Sequence, residues 1–306
     1  MNKKVLITGA YGFVGRHTAY HFASRGWNVV GLGHGVWSRQ EWQQWGIKEW
    51  HTTDITIDNL LNYSGEPDVI IHCAGSGSVS FSLNHPLQDY KRAVDTTLSV
   101  LEFARIHAPK AKVVFPSSAA VYGAVSSSPI MESSSLNPVS PYGIHKKIAE
   151  ELCYSYAKFF SIEVAVIRLF SVYGSGLRKQ LLWDACEKAM KNETAFFGTG
   201  EETRDWLHVQ DAASLLYTAS QYASLECPIV NGGVGVEVSI RDVLCEIFRG
   251  LGRQDEPVFQ GTTRTGDPQH YLADIIYLQQ WDWKAKNSWR EGIREYVEWY
   301  KKDGVI

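Results

Sequence analysis

Long apolar runs are missing from this 306-residue chain. No stretch is long enough to cross a bilayer, and the run at residues 5–8 is too short for the core of a signal peptide, so neither is expected. An excess of positive charge is missing as well: 30 Lys and Arg against 33 Asp and Glu leave a formal net charge of -3. That balance argues against a nucleic-acid or anionic-membrane partner, which would call for a basic stripe. An anionic small molecule must be held by a few placed cations instead. Cysteine is scarce. Cys73, Cys153, Cys186, Cys227 and Cys245 show neither CxxC nor Cys/His ligand spacing, so no metal site and no disulfide framework is expected, and reduced thiols in a cytoplasmic protein are. Internal repeats and linkers are absent too; the serines at 126–128 and 133–135 form the only polar tracts.

What is present is an ordinary globular balance, 44% hydrophobic and 21% charged, enough to bury a full core. The first half alternates strand-like segments (5–8, a β-branched apolar run, then 28–33, 47–51, 68–73, 112–116, 163–169) with helical stretches (13–24, 86–107, 141–160). Continuous apolar strands between helices predict a parallel sheet covered on both faces, the α/β, Rossmann-type doubly wound class. Past residue 170 the texture changes to helices at 181–191, 209–222, 240–251 and 289–300, joined by short extended pieces. This predicts a smaller mixed α/β substrate-binding cap. The expected division is 1–170 for a dinucleotide-binding domain and 171–306 for the cap, with the segment near 205–232 a candidate to return to the first.

Thr8-Gly9-Ala10-Tyr11-Gly12-Phe13-Val14-Gly15 follows a strand and opens a helix. In that context three glycines serve a sharp turn, close approach of a pyrophosphate to a helix N-terminus, and helix–strand packing. Gly9, Tyr11, Gly12, Phe13, Val14 and Gly15 are therefore candidate cofactor contacts. The end of the second strand, Gly31-Leu32-Gly33-His34-Gly35, lacks the acid that would accept from the adenine ribose. His34 and Arg39 lie nearby, which favours a 2′-phosphate and so NADP; NAD binding to a plain flexible loop is the alternative. Asp54 and Ile55, after the third strand, are placed to touch the adenine.

Tyr142 and Lys146 stand four apart in Ser140-Pro141-Tyr142-Gly143-Ile144-His145-Lys146. Pro141 suits a first helical turn and Ser140 its cap, so both side chains share one helix face, about 6 Å apart along the axis. A phenol is a poor acid or base at neutral pH; a neighbouring ammonium is expected to bring it into range. Lys146 would also grip the nicotinamide ribose. Ser117 and Ser118, where the fifth strand runs out, place hydroxyls at the same sheet edge, and Ser118 would bind the substrate oxygen.

These segments resemble the extended short-chain dehydrogenase/reductase family, in its nucleotide-sugar epimerase/dehydratase/reductase group. TGAYGFVG resembles its TGxxGxxG loop, HCAG at 72–75 its strand-four motif, SSAAVYG its serine motif and PYGIHK its Tyr-Lys motif. RLFSVYG at 168–174 resembles R-x-F-N-x-Y-G, FGTG at 197–200 with TRDW at 203–206 resembles FGdG…tRDw, and RTGD at 264–267 with Ala273-Asp274 resembles the closing element. The likeness covers nearly the whole chain. It implies that Ala74, Gly75 and Ser117 touch the cofactor and that Ser78, Ser118 and Ser171 line the sugar. It further implies that Phe197 packs beside the base, that Arg204 and Arg264 grip a diphosphate, that Asp267 accepts from the nucleotide ribose, and that Asp205 is structural. A nucleotide-diphosphate sugar is then the expected partner. A homodimer is implied through helices 86–107 and 141–160, whose Leu98, Leu101, Leu152 and Tyr156 could equally be core.

Departures narrow the reaction. Ala119-Ala120 stands where dehydratases carry Asp-Glu and decarboxylases a Glu, so elimination lacks its acid and base. The Cys of fucose-type epimerase/reductases is absent. Ser171 replaces the Asn of UDP-galactose 4-epimerases, Val94-Asp95 their Asn-Val, and the acid after strand two is lost. The expected activity is an NADPH-dependent reductase of a 4-keto-6-deoxyhexose nucleotide, with an NAD-dependent nucleotide-hexose 4-epimerase as the alternative. A non-catalytic dinucleotide-binding protein is the remote one.

Overall fold

The computed structural model describes residues 3–125, 128–261 and 269–303. Six of the sheet strands are the apolar runs of the first half: β1 (Lys4–Thr8), β2 (Asn28–Gly33), β3 (Ile47–Thr52), β4 (Val69–His72), β5 (Lys112–Ser118) and β6 (Val164–Leu169). A seventh, β10 (Ile229–Gly232), joins from the second half. All pair in parallel in the order β10-β6-β5-β4-β1-β2-β3. Sequence order reverses between β1 and β4, the switch point at which such sheets open a crevice beyond their carboxyl ends.

Both faces of the sheet are covered. On one, α1 (Phe13–Ala23) and α9 (Val209–Tyr222) pack over Val5, Ile7, Ala165 and Ile167. On the other, α3 (Ile57–Tyr63), α6 (Thr96–His107) and α7 (Pro141–Phe160) pack over Leu6, Ile70, Val113 and Phe115. Burial on both sides explains why the inner strands are apolar, whereas the edge strand β3, IKEWHT, is largely exposed. Through α9 and β10 the chain returns to the first unit after entering the cap. Short helices α2 (Arg39–Gln44), α4 (Val79–Asn84) and α5 (Pro86–Tyr90) complete this half.

The predicted continuous helix over 86–107 is interrupted. Between α5 and α6 the backbone takes a π-helical turn, Lys91–Asp95. Thr96 and Thr97, just beyond, turn their hydroxyls back onto the carbonyls of Arg92 and Ala93, each at 2.6 Å. Such back-bonding widens a helix locally.

The cap is built from β7 (Ser171–Tyr173), α8 (Gln180–Met190), β8 (Ala195–Phe196), β9 (Thr203–His208), β11 (Glu237–Ser239), α10 (Ile240–Gly250), β12 (Val258–Phe259), β13 (His270–Tyr271), α11 (Ile276–Gln280) and α12 (Trp289–Asp303). Strands β11, β9 and β13 form a sheet that β7 also joins, and β12 pairs β8. α8, α10 and α12 close around Tyr173, Phe196, Phe248 and Tyr296, a core separate from those of the large sheet. Among the described residues no helix is long and apolar enough to cross a membrane, and all five cysteines are free.

Candidate active site

A cleft of about 1430 Å³ lies between the carboxyl ends of the large sheet and the cap. Its walls follow directly from topology. Residues 12–15, 73–77, 116–120 and 169–172 come just after or at the ends of β1, β4, β5 and β6, and residues 177–206 come from the cap. A typical single-ligand pocket holds about 300–1,000 Å³, so this cleft is larger than one ligand of ordinary size needs.

At one end stands the glycine loop. Gly9 turns through φ +69°, and a Cβ there would sit 2.6 Å from the Ala74 amide nitrogen; a Cβ on Gly15 would sit 2.3 Å from the Gly9 carbonyl oxygen. The loop, the start of α1 and the end of β4 are thus pressed together. α1 begins after Gly12 with no side-chain cap and no acid in its first turn. Its first amide donors are left to a ligand, and Gly12, Phe13, Val14 and Gly15 all line the cleft. An anionic pyrophosphate fits that helix end by charge and by donor count. Below the loop, Thr8 Oγ1 meets His72 Nδ1 at 2.7 Å, and burial pushes the His72 imidazole down to about 3, so it is neutral.

Tyr142 and Lys146 reach the cleft from the first turns of α7, which Ser140 caps through its hydroxyl on the Gly143 amide at 3.2 Å. Ser118 lines the same cleft as the Tyr142 phenol and draws it down, and the Ser118 hydroxyl accepts from the Ala120 amide at 3.2 Å. Lys146 is buried, 7% exposed, with Nζ on the Pro116 carbonyl at 2.8 Å and over the Phe115 ring. The electrostatics differ from the expectation that the ammonium would lower the phenol. Burial is the largest influence on both groups: it pushes the Tyr142 phenol above its ordinary value, and it pulls Lys146 down from 10.5 to about 8. Ser118 draws the phenol down, while the Asp89 carboxylate pushes it up. Asp89, itself fully buried, accepts from His145 Nδ1 at 2.6 Å.

Behind this face lies a buried polar network that the sequence motifs did not single out. Glu150, one turn beyond Lys146 on the same side of α7, accepts from Ser117 Oγ at 2.5 Å and from Arg168 Nη2 at 2.7 Å. Arg168 also donates to the Tyr122 hydroxyl, which donates to Asn231 Oδ1 at 2.6 Å. The network locks α7 against β5, β6 and β10, and so fixes Tyr142 relative to Ser118. Only the spacing Tyr142, Lys146, Glu150 could have announced it. Arg168→Ala would leave the Glu150 carboxylate buried without its cation; a loss of about 3–5 kcal/mol is expected, read from urea denaturation midpoints.

In the cap, Ser171, Phe197 and Arg204 line the cleft, together with Lys179, which the sequence reading missed. Phe197 is 55% exposed. Ser78 is placed otherwise than expected: its hydroxyl caps α4 by accepting from the Phe81 amide at 3.2 Å, and Ser76 and Ser80 line the cleft in its place. Asp205 is fully buried and accepts from the Val234 and Gly235 amides at 2.7 and 2.8 Å, a structural tie between β9 and the loop after β10. Arg264 and Asp267 lie outside the described residues. Leu98 is exposed, but Leu101 and Tyr156 belong to the core and Leu152 packs on it. At the far end of the glycine loop, Ile55 is buried, His34 Nε2 bonds Asp54 Oδ1 at 2.6 Å, and Arg39 opens α2.

The profile of the NAD dependent epimerase/dehydratase family matches residues 5–231 of this chain. A putative UDP-glucose 4-epimerase of Methanocaldococcus jannaschii is 29% identical, over 98% of this chain and 99% of its own length. Among solved structures, MoeE5 in complex with UDP-glucose and NAD superposes with a TM-score of 0.85 at 26% identity, covering 98% of this chain and 99% of that one. The UDP-glucose 4-epimerase of Thermotoga maritima with UDP-glucose superposes with a TM-score of 0.86 at 24% identity, over 98% and 99% of the two chains. With the glycine loop, the Tyr142–Lys146 helix and the serine strand set around one cleft, and the family profile running from β1 into β10, the chain belongs to the NAD dependent epimerase/dehydratase family, in the nucleotide-sugar group of the extended short-chain dehydrogenases/reductases.

Proposed function

We propose that this protein is a nucleotide-sugar 4-epimerase that keeps its nicotinamide dinucleotide through the catalytic cycle. The observation that carries it is the single cleft that joins the uncapped start of α1, the Tyr142–Ser118 pair and the Arg204/Phe197 wall, with Ala119-Ala120 supplying no acid for elimination. Relatives named UDP-glucose 4-epimerase support a UDP-hexose as substrate.

Gly12, Phe13, Val14 and Gly15 would hold the dinucleotide, which would supply a reversible hydride acceptor. The chain's own groups do the rest. Tyr142 takes the proton from the sugar C4 hydroxyl and later returns it. Ser118 holds the same oxygen, stabilising the charge that develops there. Lys146, charged below about pH 8, favours the phenolate and reaches the cofactor ribose. Arg204 holds the diphosphate and Phe197 covers the base. A sugar held by its diphosphate at Arg204 would have room to turn within a cleft of this size. The helices α6 and α7 would pair two copies through exposed residues such as Leu98.

A second reading, an NADPH-dependent reductase of a 4-keto-6-deoxyhexose nucleotide, is favoured by the absence of a carboxylate on β2. One assay separates them. Purified protein incubated with UDP-glucose or UDP-galactose and no added cofactor should give the C4 epimer, detected by proton NMR. Steady NADPH oxidation with a 4-keto sugar nucleotide, and no epimer, would replace the proposal by the second reading.

A further inference from the structure

One carboxylate lies on the buried face of its helix. Asp89, on α5, is fully buried, as are Ala93 and Thr97, each four residues further along the chain. Its two oxygens are treated differently. Oδ2 accepts from His145 Nδ1 at 2.6 Å, while Oδ1 is buried with no donor among the described residues. A buried carboxylate oxygen without a donor is costly. Stability therefore does not account for a charge at this place; a neutral side chain would serve the packing as well.

The surroundings of Asp89 do account for it. His145 stands three residues after Tyr142 on α7, so the two side chains are neighbours on the helix surface. The imidazole also meets the Tyr90 ring edge to face at 5.4 Å. α4 grips the same turn of α7, with Ser82 Oγ accepting from the Tyr142 amide at 3.1 Å. Asp89 is thus tied, through His145, to the turn that carries the phenol. Neither Asp89 nor His145 lines the cleft. The other titratable groups nearby do not offset the carboxylate. Ser118, from β5, is uncharged. Lys146 is engaged by the Pro116 carbonyl, and Cys73 from the end of β4, Glu150 and Cys153 from α7, and Asp89 itself all act on it. His85, Lys91, Arg92 and Asp95, on either side of Asp89 in the chain, are exposed.

We propose that Asp89, held in place by His145, keeps the Tyr142 hydroxyl protonated in the free protein, so that the phenolate forms only once positive charge has entered the cleft. This rests on Tyr142 as the proton-transferring group of the function proposed above. A like charge fixed behind a phenol disfavours its anion and leaves it a proton donor until that charge is offset. Asp89 is a positioning residue, since it acts through Tyr142.

The test is a titration, not turnover. Full-length protein, isotope-labelled at tyrosine Cζ and free of ligand, is followed by NMR across the alkaline range; the signal lost in Tyr142→Phe identifies the residue. In the parent its midpoint is expected above that of an ordinary tyrosine. Asp89→Asn should lower it by about one pH unit, the order of one like charge acting across a protein interior. His145→Asn, whose amide nitrogen can stand where Nδ1 stands, should leave it in place. Should Asp89→Asn not fold, Asp89→Leu combined with His145→Leu removes both partners, orphans neither, and should show the same fall. A merely structural pair would change the unfolding midpoint and leave this titration alone. An unchanged midpoint in a folded variant without the Asp89 charge overturns the inference. So does a rise in His145→Asn, which would mean that the imidazole had neutralised the carboxylate. Where UDP-sugars turn over, the acid limb of the pH–kcat profile should move down with the titration. Absence of turnover in the parent overturns the proposed function, and the titration still decides this inference.

Discussion

Tyr142→Phe is expected to lower turnover by about 10²- to 10⁴-fold, the range for loss of a positioned acid–base group, while leaving binding of the dinucleotide and the UDP-sugar within a factor of a few. The ring itself would stay, filling the same space at the start of α7, so the helix, its Ser140 cap and the cleft wall would be preserved. What is lost is the hydroxyl that Ser118 draws down and that faces the cleft. That hydroxyl is the group through which a proton leaves and returns to the sugar oxygen; Ser118 can hold the oxygen but has no means of ionising near neutral pH. Burial pushes the phenol above its ordinary value. The phenolate must therefore be won from ligand charge and from Lys146, and the effect of removing it should appear in kcat rather than KM. Turnover within a few-fold of the parent would remove Tyr142 from the chemistry and with it the reading of this cleft as an epimerase site. Isothermal titration and an epimer-coupled assay on the same preparation give both numbers.

How much of this was legible beforehand differs between backbone and side-chain electrostatics. The strand at residues 28–33 and the helix at 141–160 coincide with β2 and α7, because β-branched runs bounded by turn residues and a Ser-Pro helix start are local signals. β10 was not legible: four residues ending in Asn-Gly carry no period, and its place in the sheet is decided by pairing with β6, more than sixty positions away. The π-helical turn at Lys91–Asp95 was hidden inside an amphipathic pattern that continues through it. Tyr142, Lys146 and Ser118 were found by spacing and come to one cleft. The capping role of Ser78 was not legible, because α4, the short helix whose start it caps, was not foreseen. The pairing of His34 with Asp54 and of Glu150 with Ser117 and Arg168 depends on strand neighbours, which a linear sequence does not order.

Lys146→Met should make the folded protein more stable at pH 7 while disabling it. Burial lowers the ammonium from 10.5 to about 8, and each factor of ten in proton affinity is worth about 1.4 kcal/mol. Keeping this lysine charged inside the fold therefore costs about 3 kcal/mol at neutral pH. Methionine has a similar length, removes that cost, and leaves the Pro116 carbonyl without its 2.8 Å donor, a loss of about 1 kcal/mol. The net gain is about 2 kcal/mol. Its pH dependence identifies its origin. The folded pKa lies below the unfolded one, so between about 8 and 10.5 the unfolded chain binds the extra proton and the parent protein gains stability as pH rises. The advantage of the methionine variant should thus be full near pH 7 and shrink steadily between pH 8 and 10. Urea midpoints measured across that range test it. A variant that is less stable at pH 7, or an advantage that does not change with pH, would mean that Lys146 is held as a neutral or well-compensated group. If it is neutral, the phenol beside it lacks the positive charge on which its ionisation depends.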